Sequence, residues 1–424
     1  MRKFDIPQRY NSPVIGRLKV MRSAADPRKR DVSPAVLDFG GITWIIPRHF
    51  GFCFGVENAI EIVHKAIYAN PDKRIFLLSQ MIHNPVVNAD LEGQGVRFLH
   101  DTQGRELTPF SELTSDDIVV IPAFGTTVEM EAKLKGLGLD IEKFNTTCPF
   151  VERVWKRSAK LGADDFTVIV HGKHDHEETR ATFSRACSTG PALVVKDRVE
   201  AEVLAQFILG ERALAGDPGA GLESFDEIFG KRVSPGFSAV EHLQRIGVVN
   251  QTTMLATETQ SIADLLKAAV SDRNFANTRD TLCYATVDNQ KATLAALDQA
   301  ETEGADLALI IGGFNSSNTS HLVELCETRL PTYFISGAEA LNEDASLEHF
   351  ELASSKLVIS SDVLAPKSDG SPLRIILTSG ASCPDTSVDA VLQRVNALCG
   401  GGCDVDEVFA KFEGNQSEEP NLPA

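Results

Sequence analysis

No apolar run in these 424 residues approaches the ~18 that a membrane-crossing helix needs, so no membrane span is expected. Positive charge is also short. The chain has 41 Lys and Arg against 59 Asp and Glu, a formal net charge of −18. That excess disfavours attraction of the whole chain to nucleic acid or to an anionic membrane. A phosphorylated ligand would need a local positive pocket. Cysteines are scattered: Cys53, Cys148, Cys187, Cys283, Cys326, Cys383, Cys399 and Cys403 lack the density of a small secreted disulfide scaffold. The N-terminus is charged and has no apolar core, so no secretory signal peptide is visible. A reducing cytoplasm is expected, with cysteines as free thiols or metal ligands.

What is present is ordinary for a globular protein. Hydrophobic residues make up 43% and charged residues 24%, which allows a sizeable core and argues against disorder as the main state. The length suggests two or three domains. Residues 1–30 hold nine Lys or Arg and two Asp without apolar periodicity, so a flexible basic extension is expected over 1–40. Serine is sparse there (Ser12 and Ser23), so an organelle transit peptide, which would place the protein in a plastid stroma, ranks below a plain extension. The acidic tail, 401–424 with Glu418, Glu419 and Pro420, is expected to be disordered. Residues 210–237 read as a surface insertion, and 341–372 as irregular.

Between these lies a repeated pattern of apolar strand, polar loop and helix. Strands are expected at Ile42–Pro47, Asp117–Pro122, Phe166–Val170, Ile246–Val249, Leu307–Ile311 and Leu373–Thr378. Alternation of this kind implies mostly parallel sheets covered on both faces by helices, an α/β fold. Ligands in such folds bind where strands end and helices begin.

Cys53, Cys148 and Cys283 all fall at those junctions, each near a predicted helix start that favours thiolate over thiol. A four-iron cluster held by three thiolates keeps one iron open to substrate, whereas four thiolates close it. On spacing alone, three buried structural thiols would be the favoured reading. Cys399-Gly-Gly-Gly-Cys403 could bind metal, but it follows the last helix with no histidine partner nearby, and a glycine-rich helix stop is the favoured reading.

Two loops suit an anion. Gly312-Gly313-Phe314-Asn315-Ser316-Ser317-Asn318-Thr319-Ser320 follows a strand and opens a helix. Glycine lets the backbone approach closely, and Asn, Ser and helix N–H groups donate hydrogen bonds. Thr378-Ser379-Gly380-Ala381-Ser382 repeats the design; plain helix capping is the competing reading for both. His83-Asn84-Pro85 follows another strand. His171, His174 and His176 cluster with Asp175, Glu177 and Glu178, where a His-x-Glu pair could bind metal or set a charged donor beside a proton-transfer acid. Gln251-Thr252-Thr253 offers hydroxyls at a further strand end.

As a set, Gly-Phe-Cys-Phe-Gly-Val, Ile-His-Asn-Pro, Thr-Cys-Pro, His-Glu-Glu-Thr, Asn-Gln-Thr-Thr, Asn-Ser-Ser-Asn-Thr and Thr-Ser-Gly-Ala-Ser resemble the 4-hydroxy-3-methylbut-2-enyl diphosphate reductase family from about Ile42 to about Leu398. Pro122-Ala123-Phe124-Gly125 is similar to its plant and cyanobacterial branch. The other bacterial branch has a histidine in place of Phe124. Either neighbouring donors then suffice, or His171 or His174 takes over. The resemblance implies three α/β units around a pseudo-threefold axis: 41–147 with Cys53, 148–282 with Cys148, and 283–400 with Cys283. It implies a central [4Fe-4S] cluster on those cysteines. It further implies that His83, His176, Ser316, Ser317, Asn318 and Ser382 bind a diphosphate, that Glu178 delivers protons, and that Thr252 positions the substrate hydroxyl. The implied activity is reduction of an allylic diphosphate to isopentenyl and dimethylallyl diphosphate, with ferredoxin or flavodoxin as electron donor. A cluster-dependent hydratase and an iron–sulfur sensor are the alternatives.

Overall fold

The computed structural model describes residues 4–214, 223–276 and 281–418, the side chains of Asp272 and 415–418 excepted. Three sheets organise it. The smallest has three parallel strands in the order Arg97–Phe98, Ile75–Leu77, Ile118–Val120. A second has four, ordered Ala192–Val195, Thr167–His171, Ile246–Asn250, Phe275–Ala276, again all parallel. The third has seven, with a parallel centre of Ile42–Ile46, Leu373–Ser379, Leu307–Ile311 and Thr332–Ile335 and antiparallel strands at both edges. Ile42–Ile46, Thr167–His171, Ile246–Asn250 and Leu307–Ile311 are buried at every residue, as parallel strands are when helices cover both faces.

One strand changes partner from the expected division. Ile42–Ile46 was assigned to the first unit, but it pairs with Leu373–Ser379 in register Ile42↔Leu373 and so completes the third sheet. An all-apolar strand shows that it is buried on both faces, not which neighbour it takes. The helix that follows it, Phe54–Ala69, then packs on the first sheet, where Val56, Ile60 and Val63 meet Ile75, Leu77 and Val120. The loop 47–53 therefore bridges two units.

The expected flexible ends are built into the core. Ser12 caps the helix Pro13–Ala25 through a 2.9 Å bond from the Ile15 N–H, with Pro13 at the first position. Ile15 and Leu18 are buried in the third core. The tail contains a helix, Val405–Glu418, whose Val408, Phe409 and Phe412 enter the same core. The high charge of both segments hid a narrow apolar face. Phe409→Ala should cost about 3–5 kcal/mol, the usual penalty for emptying a buried aromatic site; a denaturant midpoint close to the parent's would contradict this packing. Of the 210–237 insertion, 215–222 lies outside the described residues; Phe225–Phe229 is a capped helix with Phe225 and Phe229 buried in the second core. Residues 341–372 hold an antiparallel pair, Leu347–Glu351 with Lys356–Ser360. Residues 1–3 and 419–424 also lie outside the described residues.

Candidate active site

Three helices begin at one place. Cys53, Cys148 and Cys283 are the N-cap residues of Phe54–Ala69, Pro149–Ala163 and Tyr284–Glu303, and none of the thiols makes a capping hydrogen bond. All three line a single cavity. A methyl group on Gly55 would lie 2.5 Å from the Cys148 sulfur and 4.0 Å from the Cys53 sulfur, so only glycine permits that approach.

The helix starts do not ionise these thiols. Burial pushes Cys53 up to about 12 and raises Cys148 and Cys283; repulsion from the neighbouring thiols adds to this at Cys53 and Cys148, and nearby N–H groups oppose it only weakly. The sequence expectation of thiolates is corrected here, because desolvation outweighs the dipole. A bound metal reverses that balance, since coordination removes the thiol proton outright. Among the described residues no three His, Cys, Asp or Glu approach closely enough to share one metal ion. Cys53, Cys148 and Cys283 lie within one another's electrostatic reach on one cavity wall, and three thiols are the donor chemistry that a four-iron cluster with one open iron takes.

The rest of the cavity is built to hold an anion. Ser316 caps Ser317–Glu327 by accepting from the Thr319 N–H. Asn318 accepts from the Ala381 N–H at 2.8 Å through Oδ1, while its Nδ2 is buried without a protein partner. A buried donor left unpaired on a cavity wall is what a ligand oxygen would satisfy. Ser382 donates to the His83 carbonyl at 3.1 Å, and a methyl on Gly313 would lie 2.5 Å from that same carbonyl oxygen. Glycine at 313 lets the two loops touch.

His83 and His176 face each other with Nε2 atoms 3.2 Å apart. His176 Nδ1 accepts the Glu178 N–H, so the neutral ring carries its proton on Nε2, toward His83, while Asn315 Nδ2 lies 3.1 Å from the other ring nitrogen of His83. Burial lowers His83 to about 4 and His176 well below its ordinary value, with the His83 charge a further cause at His176. Burial thus favours the neutral form of both rings. Phe124 stacks on His83 at 4.3 Å and 14° between planes, which fixes that ring without adding a donor.

Glu178 accepts from the Thr252 N–H at 2.5 Å and from the Thr252 hydroxyl at 3.0 Å. Burial pushes its carboxyl up to about 7, and the two Thr252 bonds pull the other way. A carboxyl poised near neutral pH can hold and release a proton there. Gln251, beside it, accepts from Thr179 and donates to Thr253 and Ser317, tying the second unit to the third. Sequence reasoning saw only the hydroxyls of this segment and gave Gln251 itself no contact, because nothing local reports a partner 66 residues away.

The cavity is lined by Cys53, Cys148, Cys283, His83, His176, Glu178, Thr252, Ser316, Ser317, Asn318 and Ser382 together. Neither substitute for the missing histidine reaches it. His171 is fully buried in its own unit against Thr259, and His174 lines a separate surface cavity with Phe183 and Cys187. Of the two readings left open at Phe124, this removes the relocated histidine. Cys399 ends its helix, with Gly400 in the left-handed region, as the glycine-rich stop required.

The model of the family described as LytB protein matches residues 45–396. The chain belongs to this family. A relative from Synechococcus sp. (strain WH7803), named 4-hydroxy-3-methylbut-2-enyl diphosphate reductase, is 38% identical over 371 residues, covering 85% of this chain and 87% of that protein. A protein of the same name from Gloeobacter violaceus is 35% identical over 373 residues, covering 86% and 84%. The fold of this LytB chain is shared by the solved structure of the E-1-hydroxy-2-methyl-but-2-enyl-4-diphosphate reductase from Plasmodium falciparum, with a TM-score of 0.57 and 19% identity over 82% of this chain and 86% of that one.

Proposed function

We propose that the protein reduces 4-hydroxy-3-methylbut-2-enyl diphosphate to isopentenyl and dimethylallyl diphosphate, the last step of the non-mevalonate isoprenoid pathway. The observation that carries this is the meeting of three thiols, the unpaired Asn318 Nδ2 donor among serine and histidine side chains, and a buried neutral-range carboxyl on one cavity wall. The names of relatives covering most of the chain support it. The reaction replaces hydroxyl by hydrogen, taking up two electrons and two protons and releasing water.

Cys53, Cys148 and Cys283 would hold a four-iron, four-sulfur cluster, which would supply single electrons and Lewis acidity toward the substrate hydroxyl. The remaining work falls to the chain. Ser316, Ser317 and Asn318 at a helix start, with Ser382, His83 and His176, hold the diphosphate and so fix where the far hydroxyl lies. As the anion enters, it draws a proton onto the histidine pair, which burial otherwise keeps neutral. Thr252 orients the substrate hydroxyl; when Glu178 is protonated on Oε2 the bond between them reverses, Glu178 gives its proton to Thr252 Oγ1, and the Thr252 hydroxyl passes its own proton to the departing oxygen.

Electrons come from a small one-electron carrier of the ferredoxin or flavodoxin kind. Tyr284, exposed at the surface while its hydroxyl lies in the field of all three thiols, marks the solvent side of the site. Arg153 on the Cys148 helix, stacked on Phe150, which packs edge-on against Tyr284, provides positive charge there. No helix among the described residues is long and apolar enough to cross a membrane.

Protein purified without oxygen should consume a chemical reductant only when the allylic diphosphate is added, and should release the two five-carbon diphosphates. Hydration of the substrate without electron uptake would overturn the reading. Asn318→Ala should weaken substrate binding by about 1.5–3 kcal/mol, the value of a hydrogen bond to a charged group; an unaltered dissociation constant would leave Asn318 as a structural cap.

A further inference from the structure

An anion needs donors, and a hydroxyl has a single proton to give. What the hydroxyl oxygen accepts therefore decides where that proton points. Two residues of the diphosphate loop are aimed in this way from within the third unit. Ser316 Oγ accepts from the Thr319 N–H at 3.3 Å and from the Thr319 hydroxyl at 2.9 Å, which leaves its own proton for the cavity. Asn318 Oδ1 accepts from the Ala381 N–H, which leaves Nδ2 free. Ser317 lies between them. Its side-chain partner among the described residues comes from the second unit: Gln251 Nε2, 3.0 Å away.

Gln251 is fully buried and stands behind the cavity wall, not on it. Its backbone N–H donates to the His171 carbonyl at 2.8 Å, so the residue is held at both ends. The side chain meets three hydroxyls. Oε1 faces Thr179 Oγ1 at 2.9 Å, and Nε2 faces Thr253 Oγ1 at 2.6 Å and Ser317 Oγ at 3.0 Å. A hydroxyl can donate or accept, so the direction of the amide follows from counting. With Nε2 toward Thr253 and Ser317, both amide protons and the amide oxygen are satisfied. Turned over, the amide would give one proton to Thr179 and bury the other without an acceptor, which costs free energy. Gly172 makes room for the pair: a methyl there would lie 2.6 Å from Thr179 Oγ1 and 2.9 Å from Gln251 Cβ.

Thr253 and Ser317 both line the substrate cavity, and each accepts one Gln251 proton. Their own protons are then free to face the cavity. We propose that Gln251 is a positioning residue that holds the Thr253 and Ser317 hydroxyls as donors to the diphosphate, which makes Thr253 a further binding residue. The proposal rests on the reductase reading above. The same segment serves the other end of the substrate, since Thr252 bonds Glu178 and Thr179 follows Glu178 in sequence. Anion donors and proton relay are thus set from one short piece of chain.

Gln251→Met removes both amide protons and keeps an unbranched side chain. It should weaken binding of inorganic diphosphate to the full chain by about five-fold or more and raise KM for the allylic diphosphate to match. The kcat should stay within about three-fold of the parent's, because Thr252 keeps its own bonds to Glu178. In a Ser317→Ala, Thr253→Val background the same change should cost about two-fold at most, since it acts through those hydroxyls. Equal losses in the two backgrounds, unaltered diphosphate affinity, or a loss confined to kcat overturns the proposal. Gln251→Glu keeps the shape of the side chain and the acceptor for Thr179, and takes the place of the methionine variant if that one does not fold. It too should lose more affinity in the parent than in the double variant, because a carboxylate draws both hydroxyl protons toward itself. Equal losses there would mark charge repulsion alone and overturn the proposal. A parent that binds inorganic diphosphate without reducing the allylic one rejects the reductase reading only, and the binding cycle still decides the role of Gln251.

Discussion

Glu178→Gln should lower turnover by about 10²–10⁴-fold, the range for a positioned general acid. Iron content and substrate affinity should stay near the parent's. Glutamine fills the same space and can still accept from the Thr252 N–H, so the loss isolates the proton. Because the protonated carboxyl acts, parent kcat should fall as pH rises above about 7, and the variant should lack that limb. Folding raises both Glu177 and Glu178 from 4.5 to about 7, so the folded chain binds more protons than the unfolded one. Their contribution to stability is complete below about 4.5 and is lost as pH climbs through about 7. Turnover of the Gln variant at the parent rate would remove Glu178 from the proton path.

Cys53→Ser, Cys148→Ser and Cys283→Ser should each lose most bound iron and the visible absorption that accompanies it. Activity should fall with them. Each cysteine is an N-cap residue, where serine is among the best caps, so these helices should persist. Metal-free unfolding midpoints near the parent's would show that iron is lost through a missing ligand and not through misfolding. Unchanged iron and absorption in all three variants would reject the ligand assignment.

Much of this site could be read from residue order alone, for a physical reason. Parallel α/β units put their functional groups at strand–helix junctions, and those junctions are local features of sequence. Cys53, Cys148 and Cys283 were visible as helix starts, and the Ser316–Asn318 loop as an anion-suited one. What stayed hidden depends on contacts between distant segments. The pairing of Ile42–Ile46 with Leu373–Ser379 joins the two ends of the chain, and no periodicity reports it. The thiol ionisation was misjudged because the dipole is local whereas desolvation depends on everything packed around it. The ends of the chain looked disordered because charge dominates their composition, yet Ile15, Leu18 and Phe409 suffice to dock them. Phe124 could be seen to lack a donor, but its stacking on His83 needed three dimensions.

The most direct test of the central claim is iron and acid-labile sulfide analysis of the full chain purified without oxygen, with the visible spectrum followed as the allylic diphosphate is added. Roughly four irons and four sulfides per chain, and a spectrum that shifts on substrate addition, are predicted for a cluster held by three thiolates with one iron open. Iron and sulfide near zero after anaerobic reconstitution, or a cluster whose spectrum ignores the substrate, would contradict the account.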